Sequence, residues 1–124
     1  EPINVFNYGK MQRDFTYIDD ITESIIRLVD KSPEPDATPL ESCSNAGSRA
    51  PYRIYNIGNN QPVELMRLIE LLEGSLGIKA NINFLPLQPG EVLTTYADIT
   101  ELVEEINFKP ETPIEVGVER FVSW

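Results

Sequence analysis

Histidine is absent from this sequence. Without an imidazole there can be no Ser-His-Asp triad and no imidazole general base, and most catalytic zinc sites are excluded as well. Cysteine is almost absent: Cys43 stands alone, which excludes an internal disulfide and a cysteine-cluster metal site. One unpaired thiol, with no basic-then-apolar leader, fits a reducing cytoplasm. Positive charge is scarce, with 10 Lys and Arg against 20 Asp and Glu, for a net charge of −10. That balance argues against nonspecific nucleic-acid binding, which needs basic side chains to neutralise phosphates. Long apolar runs are missing too, so no membrane-spanning helix is expected.

What remains is 124 residues, 41% hydrophobic and 24% charged, the composition of a globular chain with a modest core. One domain, 1–124, is expected. The sequence opens Glu1-Pro2-Ile3-Asn4-Val5-Phe6 with a strand pattern already running and no initiator Met, and it closes on Trp124. Both ends read as cuts within something longer.

The patterning alternates short strands and helices. Strands are predicted at 3–6, 13–18, 53–57 and 80–85, where β-branched and aromatic residues gather. A helix is predicted after Asp19 or Asp20 as cap, with Glu23 in a capping-box position and Ile21, Ile25, Ile26, Leu28 and Val29 as its stripe. A second helix is expected from Pro62 to a stop at Gly77, and Asp98 and Thr112-Pro113 mark the starts of two more. Residues 32–51, with Pro33, Pro35, Pro39 and Pro51 and no periodicity, read as a long mobile loop. Residues 86–91 read as an irregular loop. The fold class is α/β, a mixed α+β arrangement, with no Gly-rich dinucleotide turn and no nucleotide-phosphate loop.

One run carries more than secondary structure. Gly9-Lys10-Met11-Gln12-Arg13-Asp14-Phe15-Thr16-Tyr17-Ile18-Asp19-Asp20-Ile21 resembles a signature of the extended short-chain dehydrogenase/reductase family, which includes NAD-dependent nucleotide-sugar epimerases and dehydratases. Val5-Phe6, Tyr55-Asn56-Ile57-Gly58, Gln88-Pro89-Gly90-Glu91-Val92 with Thr95-Tyr96-Ala97-Asp98, and Phe108-Lys109-Pro110 follow the same family pattern in the same order. The wording is most similar to the UDP-glucuronate 4-epimerase subgroup. The resemblance implies the C-terminal, substrate-binding part of such an enzyme, working in polysaccharide biosynthesis. It also implies a missing N-terminal Rossmann domain with the NAD turn and the catalytic Tyr-x-x-x-Lys pair. NAD would be the cofactor, a UDP-sugar the ligand and a homo-oligomer one form of assembly. No catalytic or metal residue is expected in the chain itself, and the chain alone should be inactive. A dehydratase or decarboxylase of the same family, and a standalone non-catalytic binding module, are the alternatives.

The resemblance also implies site residues. Arg13 would grip the pyrophosphate, since a guanidinium fork matches phosphate oxygens; the alternative is an ion pair with Asp14 or Asp20 that ties strand to helix. Lys10 lies near it in sequence. Phe6 would stack on uracil, or else serve as a core residue, with Asn4 and Val5 bordering the base through their backbone. Glu91 would accept from ribose hydroxyls. Gln88 stands where several family members have Arg, and it brings no charge. Asp14, Asp19 and Asp20 suggest a paired-carboxylate or metal reading, though for Asp19 and Asp20 capping is simpler. Tyr17 and Tyr96 are expected to pack in the interior.

Overall fold

The computed structural model describes residues 1–33 and 51–124. Cys43 and nearly all of the expected loop 32–51 lie outside the described residues. The architecture is mixed, as the patterning predicts. Strand β1 (Ile3–Val5) runs parallel to β4 (Ile82–Phe84), with Ile3 opposite Ile82 and Val5 opposite Phe84. Strand β2 (Gln12–Asp14) runs antiparallel to β3 (Pro62–Glu64), with Arg13 opposite Val63. Four helices complete the described fold: α1 (Ile18–Val29), α2 (Leu65–Leu76), α3 (Thr100–Ile106) and α4 (Ile114–Ser123). Helix α2 packs on α4 and α1 on α3. The buried apolar side chains are Val5, Met11, Ile69, Ile99, Leu102, Ile106 and Val118. They come from β1, the residues flanking β2 and α3, and helices α2, α3 and α4.

A short 3₁₀ turn, Phe6–Gly9, joins β1 to β2. Asn7 and Tyr8 adopt left-handed backbone angles there (φ 48° and 52°), and Asn7 Nδ2 donates to the Lys10 carbonyl at 2.7 Å. An Asn tolerates this region because its short amide can bond locally. Gly9 follows at φ 79°, packed so tightly that a Cβ would sit 2.6 Å from Met66 Sδ.

Several boundaries differ from the sequence expectation, each for a physical reason. Strand β2 stops at Asp14, and Ile18 already begins α1. Neither Asp19 nor Asp20 caps that helix: its N-cap is Tyr17, with no side-chain bond, and both carboxylates lie in the first turn. Asp20 Oδ2 instead accepts the Thr112 N–H at 2.9 Å, and Glu23 pairs with Arg27 at 2.6 Å. Pro62 does not start α2. It lies in β3, whose pairing with β2 takes Pro62–Glu64 before the helix begins at Leu65. Gly77 ends α2 in the left-handed region (φ 67°), as expected of a glycine stop. Residues 53–57 are not a strand, because among the described residues no neighbouring strand pairs with them. Asp98 precedes α3 by two residues, and its Oδ1 accepts from both the Thr100 N–H (3.0 Å) and the Thr100 hydroxyl (2.7 Å). Pro113, not Thr112, is the N-cap of α4. Tyr96 is exposed rather than interior, while Tyr17 packs against Gly117.

Candidate functional site

Loop 86–92 is anchored at both ends on the first fifteen residues. At one end the Leu85 N–H donates to the Val5 carbonyl at 2.9 Å, and the Tyr8 N–H donates to the Leu85 carbonyl at 3.1 Å. At the other end the Gln12 N–H donates to the Leu93 carbonyl at 2.9 Å, and the Thr95 N–H donates to the Gln12 carbonyl at 3.2 Å. The loop therefore bridges the end of β1 and the start of β2. Residues 86–89 carry two prolines, which remove N–H donors and prevent a ladder. Gly90 supplies a left-handed turn at φ 88°.

All six residues expected at the ligand lie on this frame. Asn4 is exposed on β1, and its Oδ1 accepts from Asn83 Nδ2 at 3.0 Å. Val5 is buried with its carbonyl already engaged, so its side chain belongs to the core. Phe6 follows in the 3₁₀ turn, half-buried. Gln88 and Glu91 close their own turn: the Glu91 N–H donates to the Gln88 carbonyl at 3.2 Å, and the Glu91 carboxylate lies 3.5 Å from the Gln88 nitrogen. Arg13 Nη1 donates to the carbonyls of Gln12 (2.8 Å) and Leu93 (3.3 Å). The guanidinium thus rests on the chain two residues beyond Glu91. Among the described residues Arg13 makes no ion pair, either with Asp14 or with Asp20, so the strand-to-helix pairing alternative does not occur.

Beside this frame lies a cleft of about 450 Å³ between the 3₁₀ turn, β2, β3 and residues 93–94. Lys10, Gln12, Glu64 and Thr94 supply its polar lining. Lys10, which lines the cleft, also forms no ion pair with a described residue, and Arg13 lies beside it through its contact with the lining residue Leu93. Cations with no carboxylate partner among the described residues suit an anionic ligand.

The residue that sequence reasoning undervalued is Asp14. Its carboxylate accepts the backbone N–H groups of Asn59 (3.1 Å) and Gln61 (3.4 Å) on Oδ1, and those of Asn60 (3.1 Å) and Ala97 (3.1 Å) on Oδ2. Its own N–H donates to the Thr95 hydroxyl at 3.1 Å. A carboxylate receiving several backbone donors is a strong structural clamp. The available signal was alternation: on a strand Asp14 points away from the face that carries Arg13. Among the described residues no group of three or more His, Cys, Asp or Glu is placed to hold an ion.

Arg53 lies 3.8 Å from Glu101 and 3.7 Å from Glu105, and it stacks over the Tyr55 ring at 5.5 Å. Burial, followed by the Glu105 charge, raises the Tyr55 hydroxyl above its ordinary value. An apolar cleft of about 390 Å³ runs between residues 15–18, α2 and α4, with Leu68, Leu72, Val118 and Phe121 in its walls. No described helix is long and apolar enough to cross a membrane.

No protein-family model matches the chain. Individual relatives do. The chain is 50% identical to Protein CapI of Staphylococcus aureus over 100% of its own length and 37% of that protein. It is 44% identical to a protein of Rhizobium meliloti named probable UDP-glucuronate 4-epimerase, over 99% of the chain and 37% of the relative. Among solved structures, UDP-glucuronic acid 4-epimerase from Bacillus cereus, held with UDP-glucuronic acid and NAD, superposes with a TM-score of 0.73 at 26% identity, over 99% of this chain and 34% of that one. The chain thus spans about 37% of the length of these two relatives.

Proposed function

We propose that this chain, related along its whole length to the nucleotide-sugar epimerases of the extended short-chain dehydrogenase/reductase family, holds the UDP moiety of UDP-glucuronate or a related UDP-sugar for epimerisation at C4. The observation that carries the reading is the frame around loop 86–92, which draws Asn4, Phe6, Arg13, Gln88 and Glu91 to one edge of the fold. Arg13 is seated there on the Leu93 carbonyl, has no carboxylate partner among the described residues, and would offer the rest of its fork to two phosphates. Phe6 offers a half-exposed ring to a flat pyrimidine, and Glu91 offers acceptors to a ribose diol. Gln88 donates a hydrogen bond without charge, so Arg13 and Lys10 carry most of the phosphate attraction.

The described residues do not fit NAD. Gly9, Gly58, Gly74, Gly77, Gly90 and Gly117 are scattered, and none opens a strand-to-helix turn of the kind that cradles a dinucleotide pyrophosphate. We therefore assign NAD and the hydride chemistry to a further, N-terminal Rossmann portion of the enzyme. The exposed apolar side chains of α1 (Ile25, Ile26, Val29) and the unpaired segment 53–57, with Ile54 exposed, are the surfaces proposed to meet it. The complete enzyme would work in the cytoplasm, feeding epimerised sugar to polysaccharide assembly.

The test is calorimetric titration of the chain with UDP and UDP-glucuronate, comparing it with Arg13→Ala. Loss of a hydrogen bond to a charged group is worth about 1.5–3 kcal/mol, so affinity should fall by about tenfold or more. Equal affinity of the two proteins rejects the assignment. The chain alone should not turn over UDP-glucuronate, and measured turnover would reject the division of labour.

A further inference from the structure

Asp14 lies next to the proposed phosphate-binding residue but points away from it. It clamps two separate segments onto β2. The Asn59, Asn60 and Gln61 N–H groups hold the chain just before β3, and the Ala97 N–H holds the chain just after the Gln12–Thr94 bridge. The junction is tight. A Cβ on Gly58 would lie 2.8 Å from Asp14 Oδ2 and would overlap the Ala97 methyl. The Asp14 N–H to the Thr95 hydroxyl adds a further tie to the same segment at 3.1 Å.

That segment, 93–97, is the one on which Arg13 rests. The Leu93 carbonyl accepts both the Gln12 N–H at 2.9 Å and Arg13 Nη1 at 3.3 Å. Whatever fixes 93–97 against β2 therefore fixes the seat of the guanidinium and one end of loop 86–92.

We propose that Asp14 is a positioning residue for diphosphate binding, acting through Arg13 by clamping residues 93–97 and 59–61 to β2. The inference rests on the UDP-binding reading above. An ionised carboxylate suits this post because it presents only acceptors to four donors. An amide at the same place turns an NH₂ group toward two of those N–H groups, so Asp14→Asn disrupts the clamp while preserving side-chain shape.

The experiment is a double-mutant cycle on the whole chain: wild type, Arg13→Ala, Asp14→Asn and the double variant, each titrated with UDP and with uridine. Asp14→Asn should weaken UDP binding about fivefold or more, the scale of one lost hydrogen bond. Uridine affinity should stay within about twofold, and Asp14→Asn should add little in the Arg13→Ala background. Equal losses for UDP and uridine, or a full additional loss on top of Arg13→Ala, overturn the proposal in favour of a general structural role. Unchanged UDP affinity in Asp14→Asn overturns it outright. A wild-type chain that binds UDP no better than Arg13→Ala fails the UDP-binding reading itself, and this proposal with it. If Asp14→Asn does not fold, Thr95→Val removes one tie of the same clamp. A loss confined to UDP then supports the proposal, and unchanged UDP affinity overturns it.

Discussion

At the scale of single residues, Gly58 is the most tightly packed of the described glycines. It is buried, and the space where a side chain would begin is already occupied by the Ala97 methyl and the Asp14 carboxylate. The neighbours cannot easily give way, because Asp14 is held by backbone donors from two segments and Ala97 is one of those donors. Overpacking of this kind typically costs about 1–3 kcal/mol, and here it would also stretch charge-assisted hydrogen bonds. Gly58→Ala is therefore expected to lower the urea midpoint of unfolding clearly. Gly74→Ala should not, since a Cβ there meets nothing within 4 Å and alanine favours the helix. Equal midpoints for the two variants would show that the junction relaxes freely. Glycine at position 58 is legible in the sequence only as part of a turn. Its close approach to Asp14 depends on residues far away in the chain, which no local pattern encodes.

At the scale of elements, the four helices and the glycine stop of α2 were readable from sequence, while the beginnings of α1 and α2 were displaced. Apolar periodicity finds α1, α2, α3 and α4, and Gly77 ends α2 as a glycine should. The starts shift because tertiary partners compete for the capping residues. Asp20 is drawn to the Thr112 N–H, and Pro62 is drawn into the β2–β3 ladder. Segment 53–57 has strand composition without strand pairing, since pairing requires a partner that local sequence cannot supply. A motif named Arg13 and Glu91 as candidates, and the structure places Glu91 in loop 86–92 and Arg13 beside it. The clamp by Asp14 was not legible, because it works through backbone contacts to segments far away in the chain. Element ends also set the response to acid. The Asp98 carboxyl is held below its ordinary value near 3.8 by the Thr100 hydroxyl and N–H. Glu73 is held below 4.5 by Lys79 and the Ala80 N–H, and Glu115 by its own backbone N–H and Arg67. Each folded-state value lies below the unfolded one, so between the two the unfolded chain binds more protons and stability rises with pH. These contributions are fully present at neutral pH and fade as pH falls below about 4.5, through the depressed values. Asp98→Asn should flatten part of that acid limb in urea titrations monitored by circular dichroism. An unchanged limb would remove Asp98 from the account.

At the scale of the whole molecule, two tendencies oppose each other. Ile25, Ile26 and Val29 on α1 are 51%, 59% and 74% exposed, and Ile54 is 61% exposed, so much apolar surface faces water. Burying such surface against another copy is favourable at roughly 25 cal/mol per Å². Against this stands the net charge of −10, which makes copies repel one another. The repulsion is long-ranged and screened by salt, with a Debye length of about 30 Å at 0.01 M and about 3 Å at 1 M, whereas the apolar attraction is contact-ranged and not weakened by screening. Self-association should therefore grow with ionic strength. Sedimentation velocity at low salt should show mainly monomer that binds an apolar dye such as ANS. Raising the salt toward 1 M should increase the weight-average mass and reduce dye binding per chain. Ile26→Gln with Val29→Gln should suppress both the salt-driven association and the dye signal, because neither side chain is buried in the core. A chain that stays monomeric at all salt concentrations and binds no dye would mean that these faces are covered in solution, and that the surfaces assigned to the nucleotide-binding portion are not available to receive it.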